Sequence, residues 1–377
     1  MYVKKIKTEN KNILIIDFSP IWVRFIFNAL KTHISDNNQI KQFNQTESEY
    51  TYNFHEFADI VIFNTISEIC KMKNKFRDTD SNIEIVIAFD TKYTETHKYW
   101  RHELWSGYKH GRRRNAKFDW NIANEYQNHL KHILDEYSGW TVISVPGAEG
   151  DDVIFTLTSY FSNLPQKPDI IISSCDHDVT QCLVFENCKF WETKSAVKNK
   201  NDSFVTNLNT DDIESIRFNH VVFGDRGDYI QHIKSWSRFS DKFKKLINDN
   251  SADVTKATKF KNFDELRAYP FRHELNERIY QKYGFYAYSH PQFGVKTLSK
   301  LMQDGNSIDD ILSENPIYKL NYELNKKLVL RENVPDKIQN DIIENYLNAN
   351  TNRNIAKLIE YFTNIGAFEL IGMVGLM

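Results

Sequence analysis

The sequence predicts an α/β fold, with a mainly parallel sheet flanked by helices, followed by a helical second domain. In the first part of the chain, short apolar segments alternate with helical patterns, which is typical of strand–helix–strand units. The segments expected to form buried strands are 13–18, 83–89, 141–145 and 169–173. From Asp211 onward the pattern is almost entirely helical. We therefore predict two domains, residues 1–205 and residues 206–377.

Helical patterns connect the predicted strands. The first helix begins at Ser19 or Pro20, because proline is tolerated in a first helical turn, and continues to about Leu30. The polar residues 35–53 are expected to form a loop or an insertion. The other expected elements are helices at 54–76, 120–137 and 151–161, a short helix from Asp178, an outer strand at 189–192, and helices at about 338–348 and 353–371. The final apolar residues, LIGMVGLM, either dock on the core or bind a partner.

Composition narrows the class of protein only a little. The chain has 377 residues, 41% apolar and 26% charged, as in an ordinary soluble protein. Its formal net charge of -2 gives no sign of a polyanionic partner, although acidic and basic regions can balance one another. Four cysteines without a CxxC pair indicate reduced thiols. Because we find no secretion signal and no membrane-length apolar run, we expect a cytoplasmic protein that does not enter membranes.

Acidic residues follow the predicted strands at the ends where they leave the sheet. The carboxyl ends of parallel strands meet at one edge, so these side chains are expected to converge. The set is Asp17, Asp90, Glu149, Asp151, Asp152, Asp176 and Asp178. So many carboxylates would repel one another unless a cation lay among them. A helix cap or a surface position is the alternative for each acid taken singly, and for Asp152 and Asp176 both interpretations stay open.

Oxygen ligands select hard cations, so the acids predict Mg²⁺, with Mn²⁺ able to substitute. No His/Cys cluster with zinc spacing is found in the sequence. Two ions about 4 Å apart could clamp a phosphodiester and activate a water for attack on it.

A basic and aromatic segment, residues 97–117, follows the second strand. Its bases are Lys98, Arg101, Lys109, Arg112, Arg113, Arg114 and Lys117, and four aromatic residues lie between them: Tyr99, Trp100, Trp105 and Tyr108. Bases interleaved with aromatics favour single-stranded nucleic acid, through phosphate pairing and base stacking. The alternative is a helical hairpin with an exposed basic face.

Two motifs in the helical part point to phosphates or metals. The motif GDRGD places Asp225 and Asp228 in what is otherwise read as a turn between helices. In FGVKTLSKL, Gly294 precedes Lys296 and Thr297 at a helix start, where backbone amides and a cation can hold a phosphate of a duplex.

The chain resembles the 5′ nuclease (flap endonuclease) family, and within it the ribonuclease H enzymes of T-even bacteriophages. The motifs that carry this resemblance occur in order: ILIIDFS, VIAFD, YWRHELWSGYKHGRRR, EGDD, SSCDHDVTQCL, GDRGD, VKTLSKLM, NYELNKKLVL and VPDKIQNDIIENYLN. The ordered acidic motifs are specific to the family, whereas the matches in the basic segment and the C-terminal part are softer.

The resemblance implies a PIN-like (resolvase-like) nuclease core, a helical arch at about 95–118, and a helix–hairpin–helix region at about 221–302. It implies a metal-dependent 5′-to-3′ exonuclease and flap endonuclease that removes RNA primers and 5′ flaps in replication. The family's metal-binding acids match Asp17, Asp90, Glu149, Asp151, Asp176 and Asp178, and Asp152 belongs to the same motif. Asp225 and Asp228 match its last acids, and Arg101 and Lys109 match bases that contact the scissile phosphate.

The chain departs from the family pattern in three places. Gly227 precedes Asp228 and Tyr229 follows it, where the family often has a serine–asparagine pattern. The segment 235–290 is longer than usual, and the polar stretch 35–53 is extra. None of these departures removes an expected metal ligand.

Two alternatives to this nuclease are considered. One is a non-catalytic, structure-specific DNA-binding protein on the same scaffold, and the other is a compact PIN-type ribonuclease. The first conflicts with the acids, and the second with the arch and the helical domain. The expected substrates are DNA and RNA–DNA duplexes with 5′ ends or flaps. A single-stranded-DNA-binding protein or a sliding clamp is the expected partner of a monomeric enzyme.

Overall fold

The fold is described from a computed structural model of the chain. In it, the chain forms two compact units. One unit comprises 1–97, 114–210 and 334–377, and the other 98–113 and 211–333. The residues that the structure describes are 12–36, 53–76, 83–91, 98–105, 107–109, 119–193, 208–225, 227–235, 238–239, 242, 245–246, 251, 253–255, 272–284, 288–289, 293–314 and 316–377. The predicted insertions at 35–53 and 235–290 lie largely outside them.

Helices and strands alternate in the first half of the chain, and helices dominate the second. The strands are β1 (Ile13–Asp17), β2 (Glu84–Ala88), β3 (Thr141–Ile143), β4 (Ile170–Ser174), β5 (Cys188–Glu192), β6 (Arg238–Phe239) and β7 (Tyr288–Ser289). The helices are α1 (Phe18–Asp36), α2 (Ala58–Phe76), α3 (Arg101–Leu104), α4 (Trp120–Tyr137), α5 (Gly150–Ser162), α6 (Thr210–Phe223), α7 (Arg272–Tyr283), α8 (Val295–Gln303), α9 (Ile308–Ser313), α10 (Pro316–Val329), α11 (Asp336–Asn348) and α12 (Ile355–Asn364). Shorter 3₁₀ helices cover Phe54–Glu56, His177–Val184, Arg331–Asn333 and Phe368–Leu376.

The first unit is built on a five-stranded parallel sheet with the order β3-β2-β1-β4-β5. In β1, alternate residues face opposite sides, so Leu14 and Ile16 join one apolar cluster while Ile13 and Ile15 join the other. Burial on both faces explains why the strands are nearly continuous apolar runs. The predicted α/β class, its parallel sheet and the outer strand β5 are confirmed.

The C-terminal segment completes the core of this first unit. Ile342 of α11 is buried in the cluster that contains α5, and Tyr346 packs edge-on against Phe161 with ring centroids 4.9 Å apart. Leu370 and Val374, from the last 3₁₀ helix, are buried in the cluster on the other face of the sheet. Of the two interpretations left open by the sequence, the structure shows docking on the core.

The predicted helix at 353–371 is interrupted in the structure. α12 ends at Asn364, and Gly366 then adopts a φ of 75°, a left-handed conformation that glycine adopts without strain. A separate 3₁₀ helix follows. The apolar pattern continues across the break because both pieces bury side chains in the same core, so periodicity alone did not indicate the end of the helix.

Among its described residues, the second unit packs helices around two small apolar clusters. One contains Val222, Ile233 and Leu298, and the other contains Trp105, Tyr108 and Leu328. A two-stranded antiparallel ribbon, β6 paired with β7, was not predicted. The division into domains 1–205 and 206–377 remains a prediction. The two compact units of the structure are each assembled from non-contiguous segments of the chain.

Candidate active site

Asp17 lies at the point where the winding of the sheet reverses. β1 has β2 on one side and β4 on the other, and the chain builds outward from β1 in both directions. Ligand sites of open α/β sheets form outside the carboxyl ends of strands at this switch point. Asp17 is the last residue of β1, and its side chain is almost fully buried. The predicted acid is therefore held by the central strand itself.

Two hydroxyl-mediated contacts tie the acid after β4 to the acid of β1. The Ser174 hydroxyl donates to Asp17 Oδ2 over 2.7 Å, and the Asp176 backbone N–H donates to Ser174 Oγ over 2.9 Å. Asp176 is itself the cap of the 3₁₀ helix that begins at His177, because its Oδ1 accepts from the Asp178 N–H at 3.0 Å. Asp176 thus caps the 3₁₀ helix, and the Ser174 hydroxyl links it to Asp17 through two successive hydrogen bonds.

The acid after β2 is held by the first turn of α5. The Gly150 backbone N–H donates to Asp90 Oδ1 over 2.6 Å. A Cβ atom at Gly150 would lie 3.3 Å from that oxygen and 3.5 Å from Asp17 Oδ1. Gly150 therefore lets the Asp90 carboxylate approach closely to the start of a helix, where backbone N–H groups and the helix dipole favour negative charge. Gly150 is not among the predicted site residues, although the EGDD motif contains it.

Glu149 and Asp152 form a reciprocal cap at the start of α5. The Glu149 side chain accepts from the Asp152 N–H, and Asp152 Oδ2 accepts from the Glu149 N–H at 3.0 Å. Both residues are buried, Asp152 completely. Of the two interpretations of Asp152, the structure supports the helix cap, and its place among metal ligands stays a prediction. Asp151, between them, is half-buried.

Asp17 is affected both by its burial and by the charges of neighbouring acids of the first unit. Burial raises the pKa of Asp17 well above its usual value, and the negative charges of Asp151, Asp90 and Asp176 raise it further. The Ser174 hydrogen bond lowers that pKa and only partly offsets these causes. The sheet edge thus carries a carboxylate that is costly to ionise without a cation.

The chemistry of this group fits a hard divalent cation. Its donors are carboxylate oxygens, which Mg²⁺ and Mn²⁺ prefer, and the repulsion at Asp17 is the kind that a bound cation relieves. Among the described residues, no three His, Cys, Asp or Glu side chains already form a closed metal-binding group. Asp17, Asp90, Asp151 and Asp176 are the residues that would hold an ion.

In the second unit, Arg101 is fully buried. Its Nε donates to the Leu328 carbonyl oxygen over 2.9 Å, and its guanidinium lies over the Trp100 ring at 4.5 Å. In this structure the Arg101 side chain joins α3 to α10. Its expected contact with a scissile phosphate stays a prediction. A basic and aromatic segment does not reveal which base is buried, because a stacked arginine and an exposed one share the same pattern.

Lys109 and Tyr108 meet Asp228 of the GDRGD motif. The Tyr108 hydroxyl donates to Asp228 Oδ2 over 2.9 Å, and Lys109 Nζ lies 3.8 Å from the same oxygen. The Lys109 backbone N–H donates to the Asp228 carbonyl oxygen over 2.9 Å. The arch lysine and the last predicted metal acid are therefore direct neighbours.

Asp225 shapes the turn that carries Asp228. Its Oδ1 accepts from the N–H groups of Gly227, at 2.6 Å, and Asp228, at 3.3 Å. Gly224, with a φ of 68°, precedes the turn, and a Cβ there would lie 2.2 Å from the Ile230 carbonyl oxygen. Only glycine fits this position. A turn is present directly after α6, although the next described element is the strand β6 and not a helix, and Asp225 serves the turn as an internal cap.

The predicted phosphate grip has the expected local form. Gly294 is the cap residue of α8, and Lys296 and Thr297 are exposed in its first turn while Leu298 is buried. Lys98 is also exposed. Arg112, Arg113 and Arg114 lie outside the described residues.

Comparison with known proteins identifies the family of the chain. A family model described as the 5′-3′ exonuclease N-terminal resolvase-like domain matches residues 12–209. This chain belongs to the 5′-3′ exonuclease family. The resemblance to 5′ nucleases is thereby confirmed, and the protein is a nuclease, a hydrolase of phosphodiesters. No curated protein matches the chain.

Three solved structures from bacteriophage T5 are similar to this exonuclease-family chain at 13% to 15% sequence identity. The match to the D15 protein co-crystallised with metal ions has a TM-score of 0.43 and covers 89% of this chain and 100% of the D15 chain. The 5′-exonuclease with bound zinc also scores 0.43, with 90% and 99% coverage, and a D15 flap endonuclease variant in complex with DNA and metal ions scores 0.40, with 89% and 99%.

Proposed function

We propose that the protein is a divalent-metal-dependent 5′-to-3′ exonuclease and structure-specific flap endonuclease. The observation that carries the proposal is the buried carboxylate of Asp17, which lies at the switch point of a 5′-3′ exonuclease domain and is repelled by Asp151, Asp90 and Asp176. Such a group has a use in phosphodiester hydrolysis, where a cation and a phosphate occupy the same crevice. The ions proposed are two Mg²⁺, with Mn²⁺ as a substitute.

When bound, the ions would supply Lewis-acid polarisation of the phosphodiester and activation of the attacking water. The chain's own acids hold and orient the ions. Asp17 contributes from β1, Asp90 from the end of β2, and Asp176 from the end of β4, while Glu149, Asp151 and Asp178 complete the proposed set. Rigid strand ends hold these groups better than loops would.

The bases of the second unit are proposed to stabilise charge on the phosphate. Lys109 has this role in the proposal, and Lys98 and the arginines 112–114 are proposed to bind the single strand. Gly294, Lys296 and Thr297 are proposed to hold the duplex backbone through the start of α8. DNA appears in the complex of the T5 flap endonuclease variant, and we extend DNA and RNA–DNA duplexes to this chain as substrates.

The proposed cellular role is removal of RNA primers and 5′ flaps during replication, in the cytoplasm, as in the T-even phage enzymes that the sequence resembles. The enzyme is proposed to act as a monomer beside a single-stranded-DNA-binding protein or a sliding clamp. In the described part of the chain, no helix is long and apolar enough to cross a bilayer.

A 5′-end-labelled flap substrate tests the proposal directly. Incubation with Mg²⁺ should give cleavage near the junction with a 5′-phosphate product, and a chelator should abolish it. Asp176→Asn and Asp178→Asn should retain the fold and lose cutting, because each removes a charge that an ion needs. Full activity of both variants would exclude the proposed metal site, and binding of the flap without any cutting would favour the non-catalytic alternative.

A further inference from the structure

The last residue of β5, Glu192, continues the row of site residues across the sheet. The strand register pairs Glu192 with Ser174, whose hydroxyl donates to Asp17. Two residues earlier, the same three strands direct side chains into one apolar cluster, through Ile15, Ile172 and Phe190. Because side chains alternate between the faces of a sheet, Asp17, Ser174 and Glu192 lie on the same face, at the carboxyl ends of neighbouring strands. The edge of the sheet that carries the site acids therefore extends to β5, although Glu192 is not among the predicted site residues.

His177 contacts this glutamate from the turn that follows β4. Its Nε2 lies 3.6 Å from Glu192 Oε1. The imidazole side chain is 70% exposed, whereas the glutamate side chain is only 17% exposed, so a mostly buried carboxylate faces a ring that a ligand can reach. In the sequence His177 stands between Asp176 and Asp178, and the Asp176 backbone N–H donates to Ser174 Oγ. An accessible nitrogen base thus lies within the acidic turn.

The contact with Glu192 determines which ring nitrogen can bind a cation. A carboxylate favours the tautomer of a neighbouring imidazole that has its proton on the facing nitrogen. With the proton of His177 on Nε2, the lone pair lies on Nδ1, the ring nitrogen nearer the backbone of the acidic turn. Histidines that bind metals usually direct their other nitrogen at a carboxylate in this way. A pair with so exposed a member adds little to stability, so ligand binding explains the arrangement better than packing does.

We infer that His177 is a nitrogen ligand of the divalent-metal site, and that Glu192 is the positioning residue that orients its ring. The inference rests on the proposed function, in which a cation lies between acids that include Asp17 and Asp176. Carboxylate oxygens suit hard cations such as Mg²⁺, whereas an imidazole nitrogen suits transition metals. His177 therefore shifts the preference of the site from Mg²⁺ toward transition-metal cations.

Pulsed electron paramagnetic resonance of the full chain with one equivalent of Mn²⁺ tests the ligand directly. The wild type should show coupling of the Mn²⁺ electron spin to a directly bound imidazole nitrogen, and His177→Gln should lose it. His55→Gln is the matched control, because His55 is another exposed histidine of the first unit, and this variant should keep the signal. A wild-type spectrum without nitrogen coupling, or unchanged coupling in His177→Gln, would overturn the inference.

Metal selectivity is the second readout, measured by calorimetric titration with Co²⁺ and with Mg²⁺. His177→Gln should lower the affinity for Co²⁺ about tenfold and leave that for Mg²⁺ unchanged, because ligands and the groups that orient them are worth about tenfold or more. Glu192→Gln should also lower the affinity for Co²⁺. In the His177→Gln background it should have almost no further effect, since the ring that it orients is gone.

Glu186→Gln, at an exposed position before β5, is the control for the loss of an acid and should bind both cations as the wild type does. Equal losses for Co²⁺ and Mg²⁺ in His177→Gln would indicate a surface ion pair only and overturn the ligand. Additive effects of Glu192→Gln and His177→Gln would overturn the positioning role of Glu192.

These readouts keep the inference separate from the proposed function, since neither needs a substrate. Nitrogen-bound Mn²⁺ in a protein that cuts no flap would overturn the nuclease proposal and leave the ligand in place. Flap cleavage by a protein whose Mn²⁺ is bound by oxygen alone would do the reverse. Urea unfolding in chelator should be the same for His177→Gln and wild type, because the ring is mostly exposed. Glu192→Gln leaves His177 itself in place, so it serves if His177→Gln fails to fold.

Discussion

Asp17 is a buried carboxylate whose surroundings favour a bound cation. It ends a strand in which every residue is buried, and its carboxylate has one described hydroxyl donor, Ser174, against three neighbouring acids. A structural carboxylate in such a place would normally have a basic partner or several donors. The position is therefore better explained by the chemistry of the site than by the stability of the fold.

We expect Asp17→Asn to stabilise the metal-free protein at neutral pH. Folding raises the pKa of Asp17 above its ordinary value of 3.8. Its favourable contribution is therefore complete below that value and is lost as the pH rises through the folded pKa. Urea unfolding in chelator from acid to neutral pH should show a decline for wild type that is smaller in Asp17→Asn. Asp169→Asn, at an exposed position, is the control, and equal pH profiles for all three proteins would contradict the expectation.

At the scale of elements, the start of α5 combines a helix cap with a hydrogen bond to a site acid within four residues. Glu149 and Asp152 cap the helix, and Gly150 gives its N–H to Asp90. The sequence indicated the acids, because three carboxyl groups within four residues after a predicted strand are conspicuous. The division between capping and site residues depends on side-chain directions in the folded turn, and spacing alone does not contain that information.

Gly150→Ala should weaken Mn²⁺ binding more than it changes stability. The added methyl would lie 3.3 Å from Asp90 Oδ1, so that carboxylate must give way slightly, whereas its 3.5 Å contact with Asp17 Oδ1 is an ordinary one. Alanine favours a helix by at most about 1 kcal/mol, so the free energy of unfolding should change little. Calorimetry with Mn²⁺ is the measurement. Gly372→Ala, at a glycine with open space around its Cβ, is the matched control, and identical affinities in the two variants would show that the close approach is unimportant.

Two buried asparagines of α10 bind the backbone at the end of α6 and in the segment that follows it, up to Ser235. The Asn325 side-chain amide donates to the carbonyl oxygens of Val221 and Gln231, each over 2.8 Å, and Asn321 donates to those of Ile233 and Ser235. Each amide thus replaces hydrogen bonds that an irregular, buried backbone cannot make with itself. The NYELN motif indicated a family match, and its structural reason is this pair of clamps.

Asn325→Leu should lower the free energy of unfolding by about 2–4 kcal/mol, because two buried carbonyl groups lose a donor. Denaturant unfolding, followed by a probe in the second unit, is the measurement. Asn345→Leu is the control, since Asn345 is exposed and bonds only to the Asp341 carbonyl oxygen within its own helix. A cost below that of the control would mean that water replaces the lost donor.

At the scale of the whole molecule, the sheet and its flanking helices followed from the sequence because local pattern and burial agree there. Strands buried on both faces are apolar runs, and α4 was predicted with the bounds that the structure has. The sequence did not predict which segments of the chain make up each of the two units. Which core buries the apolar faces of α11 and α12 depends on long-range packing, and an amphipathic pattern is the same whichever core receives it.

Leu370→Ala should destabilise the first unit by about 2–5 kcal/mol, since Leu370 is fully buried in the core of the sheet. Phe368→Ala is the matched control, because Phe368 is 61% exposed and its loss leaves no cavity. Urea unfolding of both variants checks this. Equal effects would show that the last 3₁₀ helix does not contribute to the core.

The assembly of the first unit from three segments has a consequence for biosynthesis. Residues 334–377, which close both faces of its core, leave the ribosome only after the whole of 211–333. The sheet that carries the acids is translated early but cannot bury its full apolar surface until translation reaches the end of α12 and beyond. The nascent nuclease core therefore stays incomplete while the inserted second unit is made, and closing it requires contacts that span most of the chain, the kind that form slowly.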